Sequence, residues 1–352
     1  MGILFSIKRK IMLAKLKKNN SERPFDLETY ETYTLPSNAS RNDVNSYYFS
    51  AHNLEGESLV IRKNFRGEGI SEIWVIYHTK EATYANKISR FENEDTGLSI
   101  SLIEVGKEWA FTYKGKLNRV HINENKLGTL LDEEVEVEID GTFKSESMMF
   151  DYASHIDHDL LASAIAKEKW HKDFIRALNE SNVTRVEQQG QIEATIKLND
   201  KDIIFKSNAM REHSFGYRDW NRMNRHFLLI TLIRKGEALN LSRIAYPQVD
   251  KLITGYFEKD DRIHQISKNT NGARVPNVGY IPDVFFYSVE LQNGVHFNVK
   301  ANVEVIIPYS IHNGEYIIYE GIGGFEINRR KGRGVMEFGF NIDENKWRKI
   351  EY

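Results

Sequence analysis

Asn208-Ala-Met-Arg-Glu-His-Ser-Phe-Gly-Tyr-Arg-Asp-Trp-Asn221 sets two arginines, a histidine, an aspartate and three aromatics around one glycine, and no other stretch of the chain is so dense in chemically active side chains. Read as a strand, the run from Asp202 to His213 puts Phe205, Ser207, Ala209, Arg211 and His213 on one face and Lys206, Met210 and Glu212 on the other, because side chains alternate along extended backbone. Arg211 and His213 then share a face. Gly216 predicts a bulge, a sharp bend or a close backbone approach, with Arg218-Asp219-Trp220 on its far side. Guanidiniums at 211 and 218 can form two-pronged pairs with Asp219 or Glu212. The stretch therefore reads either as an anchor for the polar end of a ligand or as a buried ion-pair cluster that fixes the register of a barrel.

The segment Arg211-Glu-His-Ser-Phe-Gly-Tyr-Arg-Asp-Trp220 resembles a known signature: Arg-x-His, a small residue, an aromatic, Gly-x-Arg, Asp or Asn, and Trp. It belongs to the double-lipocalin superfamily of carotenoid 1,2-hydratases, AttH-type bacterial proteins and yeast survival-factor lipid carriers. Val186-Glu-Gln-Gln-Gly190 is similar to the lead-in of that signature, and Tyr319-Glu-Gly-Ile-Gly-Gly-Phe325 and Gly332-Arg-Gly-Val-Met-Glu-Phe-Gly339 are similar to its glycine-rich closing strands. Phe215 stands where tryptophan is commoner. The resemblance implies a mostly β protein of two lipocalin-like antiparallel barrel or sandwich domains joined by one helix, with a short cationic helix in front. Residues 1–24 would be the cationic segment, 25–155 the first β domain, 156–182 the connecting helix, and 183–352 the second β domain carrying the signature.

Composition agrees with a folded, two-domain chain. The 352 residues are about twice an ordinary domain, with 41% hydrophobic and 12% aromatic residues and only six prolines. A net charge of −2 and a pI of about 6.6 give no basic field, so nucleic acid is not an expected partner. The absence of cysteine excludes disulfides, thiolate nucleophiles and cysteine-held metals, and makes the cytoplasm the default compartment.

The first 18 residues stand apart, with Lys8, Arg9, Lys10, Lys15, Lys17 and Lys18 and no acid. Their lysines interrupt every apolar run, unlike a signal peptide. As a helix the segment carries one stripe of Leu4, Ile7, Ile11 and Ala14 and a second of Phe5, Met12 and Leu16, which suits either an anionic membrane surface or docking on the first domain. Met1-Gly-Ile-Leu-Phe-Ser6 also fits the short myristoylation pattern.

From Asn45 to Met149 short β-branched and aromatic runs alternate with turn residues. Val135, Val137 and Ile139 alternate with Glu134, Glu136 and Glu138, a strand with one wet face, and Asp140-Gly141 predicts a hairpin turn. The period then changes. Leu161, Ala164, Ile165, Phe174, Ile175 and Leu178 recur at helical spacing, predicting one long helix over 157–178. His155-Ile-Asp-His158 at its entry lacks a third metal ligand, so Asp157 or Asp159 reads as a cap. Strands resume near Val186, and His226 to Ile233 is apolar on both faces, which predicts a central strand covered on both sides.

No hydrolase elbow, phosphate loop, zinc-protease motif or cysteine nucleophile is present, and no helix follows Gly321-Ile-Gly-Gly324 to make it a dinucleotide loop. What remains is a polar cluster on an aromatic β scaffold, suited to an apolar small molecule with one polar end, and needing no cofactor or metal. Arg211, His213, Arg218 and Asp219 are its candidate anchors. Phe215, Tyr217, Trp220, Tyr246, Phe286 and Tyr319 are candidate walls. Two functions fit: binding or carrying of a lipid or isoprenoid-like molecule in a barrel pocket, or hydration, cyclisation or isomerisation of an alkene by a protonated acid. The second needs an acid in an apolar place, for which Asp219, Glu320 and Glu337 are candidates, with His213 beside them. The residues flanking Glu320 and Glu337 point to the opposite face, so alternation favours surface salt bridges for both.

Overall fold

The computed structural model describes residues 2–22, 25–180, 182–246, 249–269, 281–311 and 314–343. Helix α1 (Ile3–Glu22) and the short α2 (Leu27–Glu31) precede the strands. The first sheet holds eleven strands: β1 (Asp43–His52), β2 (Ser58–Arg66), β3 (Ile70–His78), β4 (Thr83–Ala85), β5 (Arg90–Glu92), β6 (Leu98–Glu104), β7 (Glu108–Ile122), β8 (Gly128–Ser145), β9 (Phe150–Asp151), β10 (Asn182–Leu198) and β11 (Lys201–Tyr217). It closes on itself, since β10 pairs with β8 on one side and β11 on the other, while β11 pairs with β1. The second sheet is a closed barrel of β12 (Arg225–Arg234), β13 (Glu237–Tyr246), β14 (Val249–Lys259), β15 (Arg262–Asn269), β16 (Val284–Leu291), β17 (His296–Ile311), β18 (Tyr316–Ile327) and β19 (Arg330–Asn341), each paired to its chain neighbour and β19 back to β12. All these pairings are antiparallel, so the expected pair of lipocalin-like β domains is the observed architecture.

The expected domain boundary moves. The signature strand β11 and its lead-in strand β10 belong to the first barrel, pairing along their whole length from Leu198↔Lys201 to Asn182↔Tyr217. Closure explains this, since without β10 and β11 the first sheet would keep two long unpaired edges, at β1 and at β8. The second barrel starts only at Arg225. Asp140-Gly141 is likewise no hairpin: β8 runs through it, Asp140 opposite Thr112 and Gly141 opposite Phe111. A Cβ at Gly141 would sit 2.5 Å from the Phe111 ring, so the glycine serves close packing in mid-strand.

The long helix expected over 157–178 is two, α4 (His158–Lys167) and α5 (Lys172–Glu180), behind a single turn α3 (Tyr152–His155). Asp157 caps α4 by accepting from Asp159 N at 2.8 Å and Leu160 N at 3.0 Å. At its other end Glu168 is extended, and the Trp170 indole N–H donates at 3.0 Å to Ile165 O, a carbonyl the helix would otherwise have used to continue. Helix α1 lies on α4 through the second of its two stripes, with Met12 buried among Ala162, Ile165, Phe174 and Val249. The other stripe faces out.

Three apolar layers follow from strand alternation. The interior of the first barrel is filled by Phe49, Trp109, Phe111, Phe143 and Phe205, that of the second by Phe227, Phe257, Phe285, Phe325 and Phe338. Between them lies a third cluster, in which Tyr48, Val60, Trp74 and Met210 from the outside of the first barrel meet Leu228, Ile230, Tyr256, Tyr309 and Tyr316 from the outside of the second. Strand β12 therefore is covered on both faces, as its unbroken apolar run predicts.

Candidate functional site

The signature strand divides between two destinations. Arg211, His213 and Phe215 share one face, as alternation requires, and that face is the interior of the first barrel. Arg211 is 1% exposed; its Nη1 donates to Glu31 Oε1 of α2 at 2.8 Å and its Nη2 to Gln188 Oε1 at 3.0 Å, with the guanidinium over Trp109. The His213 ring stacks on Tyr47 with centroids 4.3 Å apart and its Nε2 meets Asn45 Oδ1 at 2.7 Å. Burial, helped by Arg211, pushes the imidazole down to about 3, so it is neutral near pH 7. Phe215 stacks on Tyr33 at 4.2 Å. These three residues seal the first barrel beneath α2 and do not line the cavity described below.

The other half of the signature does line it. Gly216 takes φ +112° near the end of β11, and Tyr217, Arg218, Asp219 and Trp220 then cross to the second barrel. Together with Glu212 on the opposite face of β11 they border a cavity of about 460 Å³ between the two barrels, roofed by α1, α4 and α5. Its upper walls are apolar, with Leu16, Leu161, Ile165, Leu178, Val249 and Leu252; its floor is polar. The expected Arg218–Asp219 pair is not formed. Asp219 caps the turn at Trp220–Arg222, accepting from Asn221 N at 3.0 Å, and lies 3.3 Å from Arg222 Nε, while the Arg218 guanidinium sits over the Trp220 ring. Of the remaining expected wall residues, Phe286 is 67% exposed on the far side of the second barrel. Tyr319 packs against that barrel's interior, edge-on to Phe340. The Tyr246 side chain falls outside the described residues.

Among the described residues, aromatic side chains pack the interior of each barrel, and the cavity of about 460 Å³ lies between the two. Glu337 lies on its floor, with Glu320 buried directly behind it. They stand opposite each other on β18 and β19 and project outward from the second barrel, into the inter-barrel layer and not to water. The surface salt bridges that alternation favoured are thus corrected: the outer face of the second barrel is covered by the first. Glu320 is 0% exposed and Tyr48 donates its hydroxyl proton to Glu320 Oε1 at 2.5 Å. Glu337 Oε1 lies 2.5 Å from His226 Nε2, and His226 Nδ1 lies 2.7 Å from the Tyr316 hydroxyl. The ring lies flat across β19 because position 339 is glycine, whose Cβ would otherwise come within 2.1 Å of it.

The two carboxyls are driven apart. Burial, reinforced by the Glu337 charge, pushes Glu320 well above the ordinary carboxylate range. Burial would raise Glu337 as well, but the adjoining His226, with Arg62 and Arg185, holds it below its ordinary value. One is an acid and its neighbour a carboxylate at neutral pH. Next to them Arg185 bridges Glu187 at 2.6 Å and Glu212 at 2.9 Å, and Tyr152, Asn240 and Tyr256 all donate to Glu187. Sequence reading singled out none of Tyr48, Arg62, Arg185 or His226. The first two lie in apolar runs, and only the packing of one barrel on the other gives such polar residues an enclosed face.

The family model described as Domain of unknown function (DUF7064) matches residues 42–342. The chain belongs to the DUF7064 family. No curated protein matches it in sequence. Among solved structures, this DUF7064 chain is similar to one assigned as an AttH from Nitrosomonas europaea, with 11% identity, a TM-score of 0.50 and coverage of 87% of this chain and 96% of that one. It is also similar to kievitone hydratase from Nectria haematococca, at 10% identity and TM-score 0.49, covering 88% and 93%. A third is CghA with Sch210972, at 7% identity and TM-score 0.48, covering 88% and 93%. At these identities the likeness to the AttH structure concerns the double-barrel fold. Among the described residues of the DUF7064 chain, no helix is long and apolar enough to cross a membrane.

Proposed function

We propose that the protein encloses an apolar small molecule between its barrels and performs proton-transfer chemistry on it: hydration, cyclisation or isomerisation at a carbon–carbon double bond. The observation that carries this reading is the Glu320–Glu337 pair, two carboxyls in register on adjacent strands whose environments push their proton affinities in opposite directions. Such a split assigns acid and base. Tyr48 faces the cavity with its hydroxyl 2.5 Å from protonated Glu320. When a substrate draws the phenol O–H toward itself, Glu320 becomes the donor to the phenol oxygen, and a proton can pass from Glu320 through Tyr48 to a substrate carbon. Glu337 with His226 stands ready to take a proton from water or from carbon. In a hydration, the alkene π electrons take the proton from Tyr48, which regains one from Glu320; water adds to the resulting cation and loses its proton to His226–Glu337. Return of that proton to Glu320 restores the site, with no net redox change.

Carrying of a lipid accounts for the apolar walls, but it leaves the buried acid and carboxylate without a task. The distinguishing experiment incubates a lipophilic cell extract with the wild-type protein and with Glu337→Gln and follows its compounds by mass spectrometry. We expect one compound to gain a water, or to change retention at constant mass, with wild type only. A compound retained stoichiometrically by both proteins and altered by neither would establish a carrier and reject the proton-transfer reading.

A further inference from the structure

Arg62 on β2 is 8% exposed, lines the cavity, and projects from the outer face of the first barrel. Its guanidinium carbon lies over the Trp74 indole, 4.1 Å from the ring centroid, and Trp74 in turn stacks on Tyr309 at 4.5 Å. Its one hydrogen bond among the described residues runs from Nε to Ser46 Oγ at 3.4 Å, and it forms no ion pair there. The other cavity arginines are engaged: Arg185 bridges Glu187 and Glu212, Arg222 meets Asp219, and Arg218 sits over the Trp220 ring and has a further partner. The Arg62 charge is balanced at longer range by Glu337 and Glu72, but among the described residues no carboxylate comes within ion-pair distance, so its terminal nitrogens keep donors for a further partner on the cavity side. Its planar fork presents two parallel donors, the geometry that fits a carboxylate. The stack on Trp74 fixes the orientation beforehand, so little freedom is lost when a ligand arrives.

We propose that Arg62 is the head-group subsite of this cavity and that the natural ligand is an apolar molecule ending in a carboxylate, held by the two terminal nitrogens of Arg62 with its hydrocarbon body running up between the barrels toward Leu161 and Val249. This rests on the reading of the cavity as a small-molecule site, and it narrows the substrate class to apolar acids. The reacting double bond then lies along the body of the acid, within reach of Tyr48 and His226 on the same floor.

The test measures displacement of an apolar fluorescent dye by laurate and by lauryl alcohol, which share a chain and differ in the head group, at mildly alkaline pH. Wild type is expected to bind laurate roughly ten- to a hundredfold more tightly than the alcohol, the range for hydrogen bonds to a charged partner. Arg62→Met is expected to erase that preference while leaving alcohol affinity in place, and Arg62→Lys, which keeps the charge but loses the fork, to retain part of it. Equal binding of acid and alcohol by wild type, or an acid preference that survives in folded Arg62→Met, overturns the Arg62 subsite and leaves the cavity reading standing. Should Arg62→Met fail to fold, the wild-type comparison and Arg62→Lys decide. If neither compound displaces the dye from wild type, or if Leu161→Trp, which narrows the cavity, changes neither affinity, the cavity reading falls and the subsite with it.

Discussion

Glu31→Ala isolates what the first half of the signature does. Glu31 sits on α2, 2% exposed, and its carboxylate takes Nη1 of Arg211 at 2.8 Å and the Trp109 indole N–H at 2.9 Å. The substitution leaves the Arg211 guanidinium buried with only Gln188 as a polar partner, an uncompensated charge that costs about 3–5 kcal/mol. For a barrel of this size each kcal/mol lowers the midpoint by roughly 2–4 °C, so the loss is about 6–20 °C. Differential scanning calorimetry and circular dichroism read it directly. Removing both charges in Glu31→Leu/Arg211→Met is expected to recover most of the stability, because the pair is then replaced by apolar groups of similar size. Ligand occupancy should survive in the double variant, since neither residue reaches the cavity. A melting shift under about 2 °C for Glu31→Ala, or a double variant as unstable as the single, would refute the buried-pair argument.

Further outcomes follow from other groups. Glu258 is buried beside Gln189, and burial, helped by Asp261, raises it from 4.5 to about 7. Because the folded state holds this proton more tightly than the unfolded one, the protein is expected to lose about 3 kcal/mol between pH 4.5 and 7 as the group ionises, and Glu258→Gln should flatten that slope in denaturant titrations across the same range. A protonated carboxyl band is expected to persist in the infrared spectrum well above pH 7, where Glu258 has ionised, and to weaken in Glu320→Gln but not in Glu258→Ala. On α1 the outward stripe of Ile3, Leu4, Ile7 and Ile11 is exposed, with Lys10 and Lys17 beside it. We propose contact with anionic bilayers there: Ile7→Asp/Ile11→Asp should reduce co-sedimentation with phosphatidylserine vesicles severalfold without moving the melting point, whereas sedimentation equal to wild type would remove that claim.

Much of this architecture was legible before the structure, and the misreadings share one cause. Strand alternation placed Arg211 and His213 on a common face, and the apolar run at His226–Ile233 marked a strand covered on both sides. The same rule misjudged Glu320 and Glu337, because alternation says which residues share a face but not what covers that face. Their partnership also depends on the register of β18 against β19, which no local pattern encodes. The signature looked like one site because its residues are contiguous; its alternate side chains point into the first barrel or toward the cavity, and only Gly216 lets the last four turn to the second barrel. Asp140-Gly141 resembled a turn for a related reason. Glycine answers the Phe111 ring packed against it as readily as it answers a positive φ.

The central claim is that the ligand site lies between the barrels and not inside one. Photolabelling with a diazirine-bearing fatty acid, followed by peptide mass spectrometry, tests it most directly. We predict adducts on Leu161, Ile165, Leu228, Val249 and Leu252 around the cavity, and their loss when excess laurate competes. Adducts confined to the barrel interiors, on Phe111 and Phe143 or on Phe227, Phe285 and Phe338, would contradict the account.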